Sequence, residues 1–450
     1  MISIRSPDRE GEHSNVKIKA LSFVLTAALL LCGCGQKSGA AAAAQAQAVT
    51  ASAVQSSTAR PVSTGVTPEQ FGAKGDGITD DLQALQAAMQ QASASGQPLE
   101  LTAGAVYRFS SCLGLPSGLT IRGNGAVLLS DIQYPDLKED RMAVQLMGDS
   151  DDDRIHDVRL ENVTFRAADS CQANYMLRVM RTRNVEFVGC TFDCEPNEWG
   201  RCAADLYGGN EDIRFEGCVF RQMTSGASGG IWVRNWTDRV ESRNIRFQNC
   251  EFYKSGADEL LAVWGWSGAV RDVILSGCSF YETQTQEALD ADYRPVWFIT
   301  LGQSGTTDIR MEDCTVRAEY CETIFHMVGD KTRAVVDNCD ITMEQPDSMA
   351  EHDMKKGANP MLARGNGRAD GSTVIQNSRI TLSGDNERRI CYQLSALKGN
   401  TLDVSLGYGI ASTKEVSGNT IRGRIRHKVF QDCSGVENNK VEVRRFSILG

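Results

Sequence analysis

The stretch Asp212-Ile-Arg-Phe-Glu-Gly-Cys-Val-Phe220 returns almost unchanged as Asn244-Ile-Arg-Phe-Gln-Asn-Cys-Glu-Phe252 and as Asp272-Val-Ile-Leu-Ser-Gly-Cys-Ser-Phe280. Each copy is two short runs of period-2 alternation meeting at a corner. Keyed on the residue after the corner, the line recurs at Asn124, Val163, Cys190, Cys218, Cys250, Cys278, Cys314, Cys339, Ser378, Asn400, Asn419 and Asn439. The residue before each is Gly123, Asn162, Gly189, Gly217, Asn249, Gly277, Asp313, Asn338, Asn377, Gly399, Gly418 and Asn438. All are Gly, Asn or Asp, the residues that tolerate a left-handed backbone, so one corner is turned repeatedly. The spacings run from 39 residues (Asn124 to Val163) down to 19 (Asn400 to Asn419). That range suits solenoid coils with loops of varying length and excludes propeller blades, which need four strands in about 40 residues.

Between successive corners lies a third apolar strand, as in Tyr175-Met-Leu-Arg-Val-Met180, Ile231-Trp-Val-Arg-Asn-Trp236, Leu260-Leu-Ala-Val-Trp264, Val296-Trp-Phe-Ile-Thr300 and Thr323-Ile-Phe-His-Met327. The sequence therefore predicts an all-β parallel β-helix of about twelve three-stranded coils, roughly 55–60 Å long at a strand spacing of about 4.8 Å. Loops before the third strand are the long ones, notably Tyr281 to Arg294 and Thr342 to Asn359, which puts a binding groove on that face.

Ahead of the repeat, Phe71-Gly-Ala-Lys-Gly-Asp-Gly-Ile-Thr-Asp-Asp81 precedes Leu82, Leu85 and Met89 at helical spacing, with Thr79 or Asp80 as the expected cap and Gly96 just past the end. This element resembles the opening of the pectate-lyase superfamily of right-handed parallel β-helices, over about Val66 to Ser130. The resemblance implies a right-handed coil capped by a helix, a polysaccharide as substrate or ligand, and structural roles for Asp76, Asp80 and Asp81. It does not imply a reaction. The Asn-Thr-Asp, Asp-Asp and Gly-His-Gly pattern of polygalacturonases, the Arg-Pro line of calcium pectate lyases and the Asp-Pro-His-Asp signature of mannuronan epimerases are all missing. No cofactor or metal site is expected, and calcium dependence is left open, without support in the sequence.

At the N-terminus, Lys17 and Lys19 precede an apolar run from Ala20 to Leu31, which fits a signal-peptide core and is too short to span a bilayer. It ends in Leu31-Cys32-Gly33-Cys34, which resembles the lipobox of bacterial lipoproteins with Cys34 as the lipidated residue. Residues 1–34 are thus expected to be an export signal, 35–65 an Ala/Gln/Ser/Thr tether, and 66–450 the β-helix domain, with 66–130 its cap and first coil. The expected setting is the cell envelope, anchored to the membrane by lipid. The 47 basic residues against 57 acidic ones, net −10, argue against a polybasic nucleic-acid binder. The oligomeric state is left open.

All six tryptophans fall between Trp199 and Trp297. If Ile231, Val233 and Val263 face the core, Trp232, Arg234, Trp236, Trp264 and Trp266 face outward on neighbouring coils. Stacked indoles present a platform to the apolar C–H faces of sugars, or else form a satellite core beneath the loops. The expected sugar-binding residues are Arg178, Tyr207, Trp232, Trp236, Trp264, Trp266 and Trp297. The expected catalytic residues are Asp205, Arg234, Glu259 and His326, with Asp258, Asp290 and Asp292 close by. Paired carboxylates suit hydrolysis of a glycosidic bond. An arginine beside a base suits β-elimination on a uronate. The leading functional expectation is a lyase or hydrolase of a polysaccharide, and the rival is a non-catalytic surface protein binding glycan or protein in the same groove. The ten arginines between Cys171 and Cys250, with no lysine, match ten acidic residues, which suits either a surface ion-pair lattice or contact with an acidic glycan. Of fifteen cysteines, the six from Cys190 to Cys339 at one ladder position are expected as free buried thiols, while Cys194 and Cys202 share a loop and suit a disulfide.

Overall fold

The computed structural model describes residues 65–444, apart from 134–141, 194–201, 224–229, 236–239, 255–258, 283–296, 320, 346–359, 368–370 and 385–386. The expected signal, Cys34 and the tether lie outside the described residues, as do Cys194, Trp199, Trp236, Asp258, Asp290 and Asp292. The domain is a right-handed parallel β-helix in which every described strand pairing is parallel. One ladder holds 14 strands, from Asp76–Asp80 to Lys440–Arg444. The other two join into one sheet, because Leu261–Ser276 and Trp297–Glu312 each run through both. We call these the first ladder (for example Tyr175–Met180, Cys202–Tyr207, Ile231–Arg234), the second (Thr182–Val188, Glu211–Glu216, Ser242–Gln248) and the third (Thr191–Asp193, Val219–Met223, Glu251–Lys254).

The repeated corner joins the second ladder to the third. Eleven of the twelve expected corner residues, from Asn162 to Asn438, have φ between 51 and 65°. The first is displaced. Gly123 is not left-handed, while Asn124 and Gly125 are, at 52 and 78°. Register then places Ala126, not Asn124, in line with Val163, since Val127 pairs with Thr164. Two adjacent left-handed residues make a tighter turn, closed by the Ala126 amide donating to the Gly123 carbonyl at 2.8 Å.

Inside that corner the six cysteines form a column. Each thiol from Cys190 to Cys339 is directed at a carbonyl of the preceding coil, from 3.3 Å (Cys218 to Phe187) to 3.9 Å (Cys339 to Met311). The column continues as an amide stack, with Asn400 Oδ1 accepting from the Ser378 amide and Asn400 Nδ2 donating to Asn419 Oδ1 at 3.0 Å. Asn419 Nδ2 donates in turn to Asn439 Oδ1. Thiol titration of the denatured protein should therefore find these six cysteines unoxidised, and fewer than six free groups would contradict the column. The sulfur of Cys202 is aimed at the carbonyls of Ala204 and Gly230.

The phenylalanines of the quoted repeats fill the coil interior in two stacks. Phe165, Phe192, Phe220, Phe252 and Phe280 lie 4.6–5.0 Å apart in the third ladder. Phe187, Phe215 and Phe247 do the same in the second and meet the first stack edge-on, as Phe187 does Phe192 at 6.0 Å and 64°. Both arrangements suit the ring quadrupole.

The capping helix is Leu82–Ser95, ended by Gly96 at φ 66°. Its N-cap is Asp81 rather than Thr79 or Asp80, yet the Asp81 carboxylate turns back to accept from the Lys74 and Gly75 amides at 2.7 and 3.0 Å. Asp80 instead accepts from the Leu82 amide, and Asp76 from Ile78 and Thr79. With all three carboxylates spent on this loop, the element is structural.

Candidate functional site

Parallel register in the first ladder lines up the outward side chains from one coil to the next. The outward position passes from Gln145 through Arg178, Asp205, Trp232, Ala262, Thr300, His326, Arg364 and Tyr392. A second outward row, two residues on, carries Tyr207, Arg234 and Trp264. Alternation sends Leu177, Val179, Leu206, Val233 and Val263 inward, all wholly buried.

At the centre is a buried ion triad. Asp205 is 0% exposed, yet it carries two guanidiniums. Arg178 Nε and Nη2 donate to its Oδ2 at 3.1 and 2.8 Å, while Arg234 Nε and Nη2 donate to Oδ1 and Oδ2 at 2.8 and 2.9 Å. Burial works against the Arg234 charge, and hydrogen bonding and attraction from Asp205 outweigh it, so the pKa of Arg234 is raised. Aromatic rings wall the triad. Arg178 lies 4.3 Å over Tyr175 and 5.2 Å over Tyr207, and Arg234 lies 4.9 Å over Tyr207 and 4.2 Å over Trp232. Trp232 in turn stacks on Trp264 at 5.8 Å and meets the edge of Tyr175. Planar guanidinium makes this packing possible, since one face can lie on a ring while the N–H edge binds carboxylate.

This geometry revises the expected roles. Asp205 is fully engaged and out of reach of solvent, so it serves as the anchor of two arginines and not as an acid, base or nucleophile. The indoles of Trp232 and Trp264 are half-buried against the triad instead of standing as a bare platform. Trp232 Nε1 is buried without a hydrogen-bond partner. Trp266 lies on the same strand as Trp264.

His326 is not brought to the triad. Glu259, 7% exposed, accepts from Thr300 Oγ1 at 2.7 Å. His326 lies four register steps from Asp205, about 19 Å along the axis at about 4.8 Å per coil. Its ring stacks on Trp297 at 3.8 Å and is 4% exposed, with Nδ1 lacking a partner. Burial, helped by the charge of Arg364 on the next coil, pushes its pKa from 6.5 down to about 3. Between those values the unfolded chain binds a proton that the folded chain refuses, so stability is full above pH 6.5 and falls as pH drops toward 3. His326→Gln should flatten that part of the stability–pH curve in urea titrations, and an unchanged slope would show that His326 is not the group responsible.

Tyr175, Thr300 and the exposed Arg364 belong to this face and were not anticipated. The signal was available for Thr300 and Arg364, which sit at the outward phase in register with Arg178, whereas Tyr175 shares the phase of the inward Leu177 and Val179 and gave none. The ten arginines divide. Arg178 and Arg234 enter the triad, whereas Arg214 pairs with Glu216 and Arg243 with Glu211 in an ion-pair lattice on the second ladder, which also joins Arg159 to Glu186 and Arg271 to Asp308.

Among solved structures, the chain is similar to ORF18 of Geobacillus virus E2 (14% identity, 85% of this chain and 62% of that one, TM-score 0.46). It is likewise similar to the surface adhesin PfbA of Streptococcus pneumoniae (12%, 85% and 97%, 0.48) and to the family 28 exopolygalacturonase of Yersinia enterocolitica (12%, 84% and 78%, 0.44). These are likenesses of fold, and the chain spans less than two thirds of the viral protein's length. No curated protein matches it. The model of the family described as rhamnogalacturonase A/epimerase, pectate lyase-like, matches residues 66–345, from the capping element through the triad and past His326. The chain belongs to the rhamnogalacturonase A/epimerase, pectate lyase-like family.

Proposed function

We propose that the chain binds an acidic polysaccharide along the outer face of the first ladder. The observation that carries this reading is the triad, in which two arginines converge on one carboxylate and are held in place by Tyr175, Tyr207 and Trp232. Arg178 and Arg234 keep 5% and 11% of their side chains exposed, and Arg364, further along the same row, is exposed. A glycan lying along the axis meets cationic groups and half-buried indoles on successive coils, the mixture that recognises sugar rings bearing carboxylates. Family membership supports the polysaccharide part of the reading.

A second reading, cleavage, is favoured by Glu259, Thr300 and His326 lying on consecutive coils beside Trp297. The proposal also places the protein at the cell envelope, tethered through Cys34. Purified protein should be titrated against acidic and neutral glycans. Salt-sensitive binding to acidic members alone is expected, with Arg364→Glu weakening it about tenfold, the scale of one charge-assisted contact. Absorbance of unsaturated uronates would establish a lyase, and new reducing ends without it a hydrolase. Equal affinity for neutral glycans would sink the electrostatic reading.

A further inference from the structure

Five consecutive coils of the second ladder break their extended backbone at one place. Asp157, Asn184, Asp212, Asn244 and Asp272 all have φ between 52 and 57°. Their neighbours stay in register, as Arg183 with Glu211 and Val185 with Ile213, so the break repeats in line and cuts a notch along the axis. Within it lies an open depression of about 490 Å³, on a different face of the solenoid from the triad. Asn184, Asp212 and Asn244 form one bank, and Glu186, Arg214 and Arg246 the other.

The arginines of this depression differ from those around them. Arg246 donates from Nε to Asn244 Oδ1 at 2.9 Å and, among the described residues, enters no ion pair. Arg214 pairs with Glu216 through Nη2, while its buried Nε has no partner. The carboxylates present are already engaged, Glu186 by Arg159 and Asp212 by Asn244. Cationic donors therefore stay available beside amide and carboxylate acceptors.

We infer that this notch is a second binding site, taking one acidic unit of an oligosaccharide. A carboxylate or sulfate would sit on the guanidinium ends of Arg246 and Arg214, and ring hydroxyls would donate to oxygens of Asn184, Asp212 and Glu186. Those acceptors select against a polyphosphate, which has no hydroxyl protons to offer them and would be repelled by the two acids. The site needs nothing from the first ladder and stands or falls separately from it.

Uronate and sulfated hexasaccharides titrated calorimetrically into the wild type, Arg246→Glu and Arg246→Lys test it, with Arg364→Glu as the first-ladder control. Both residues are surface-accessible, so thermal midpoints should match the wild type. Two sites per chain are expected, one of them weakened at least tenfold by Arg246→Glu and kept by Arg246→Lys. If Arg364→Glu removes all binding while Arg246→Glu changes nothing, the second site is overturned and the first stands. Loss through Arg246→Glu alone upholds the second site and removes the first. A wild type that binds no member of the panel overturns both.

Discussion

Asp205→Ala is expected to destabilise the protein by about 3–5 kcal/mol, the usual cost of removing one partner from a buried ion pair. The carboxylate accepts four hydrogen bonds from Arg178 and Arg234, and its side chain has no exposed surface. Without it, two guanidiniums remain side by side in a low-dielectric pocket with repulsion in place of attraction. Neither can shed its proton, because an arginine stays charged at any accessible pH. Tyr175, Tyr207 and Trp232 block the easy route of swinging out to water. Asp205→Asn keeps the volume and loses the charge, so it should fall between alanine and wild type. Urea unfolding measures both, and an alanine variant within 1 kcal/mol of wild type (against the loss expected) would show that the triad does not stabilise the fold.

Gly305→Ala should be nearly as damaging, at roughly 2–5 kcal/mol from left-handed strain plus overpacking. Gly305 has φ 69° and faces Gly265 on the neighbouring coil, where the long strands bend from the first ladder into the second. A β-carbon there would stand 1.1 Å from the Gly265 carbonyl oxygen. No rotamer relieves that overlap, because the clash is with backbone. The two coils must separate, which pulls on the row carrying Ala262 and Thr300. A thermal midpoint equal to wild type would show that the two coils have room for the β-carbon at this bend.

The repeat made most of the fold legible because the corner needs a left-handed residue, and only Gly, Asn and Asp meet that need cheaply. The cysteine column and its asparagine continuation followed from the same key. The first corner was misplaced by two residues because Gly123, Asn124 and Gly125 all satisfy the rule and only pairing chooses among them. The second left-handed row was in plain view as the first letter of each quoted repeat, Asp212, Asn244 and Asp272, but a lone Asp or Asn inside a strand gives no reason to expect a break. The site was half legible. Alternation correctly turned Trp232 and Arg234 outward, yet their contact with Arg178 and Asp205 depends on register between coils 27 to 29 residues apart, set by loops whose lengths follow no pattern. Burial was the other hidden variable, and it makes Asp205 an anchor and keeps His326 neutral.

The most direct test of the account is a crystal structure of the protein with an acidic hexasaccharide that it binds in solution. The account predicts sugar rings along the first ladder between Arg178 and Arg364, with a carboxylate or sulfate against Arg234 or Arg364 and a ring over Trp232 or Trp264. A saccharide bound only elsewhere on the solenoid, with that face bare, would contradict it.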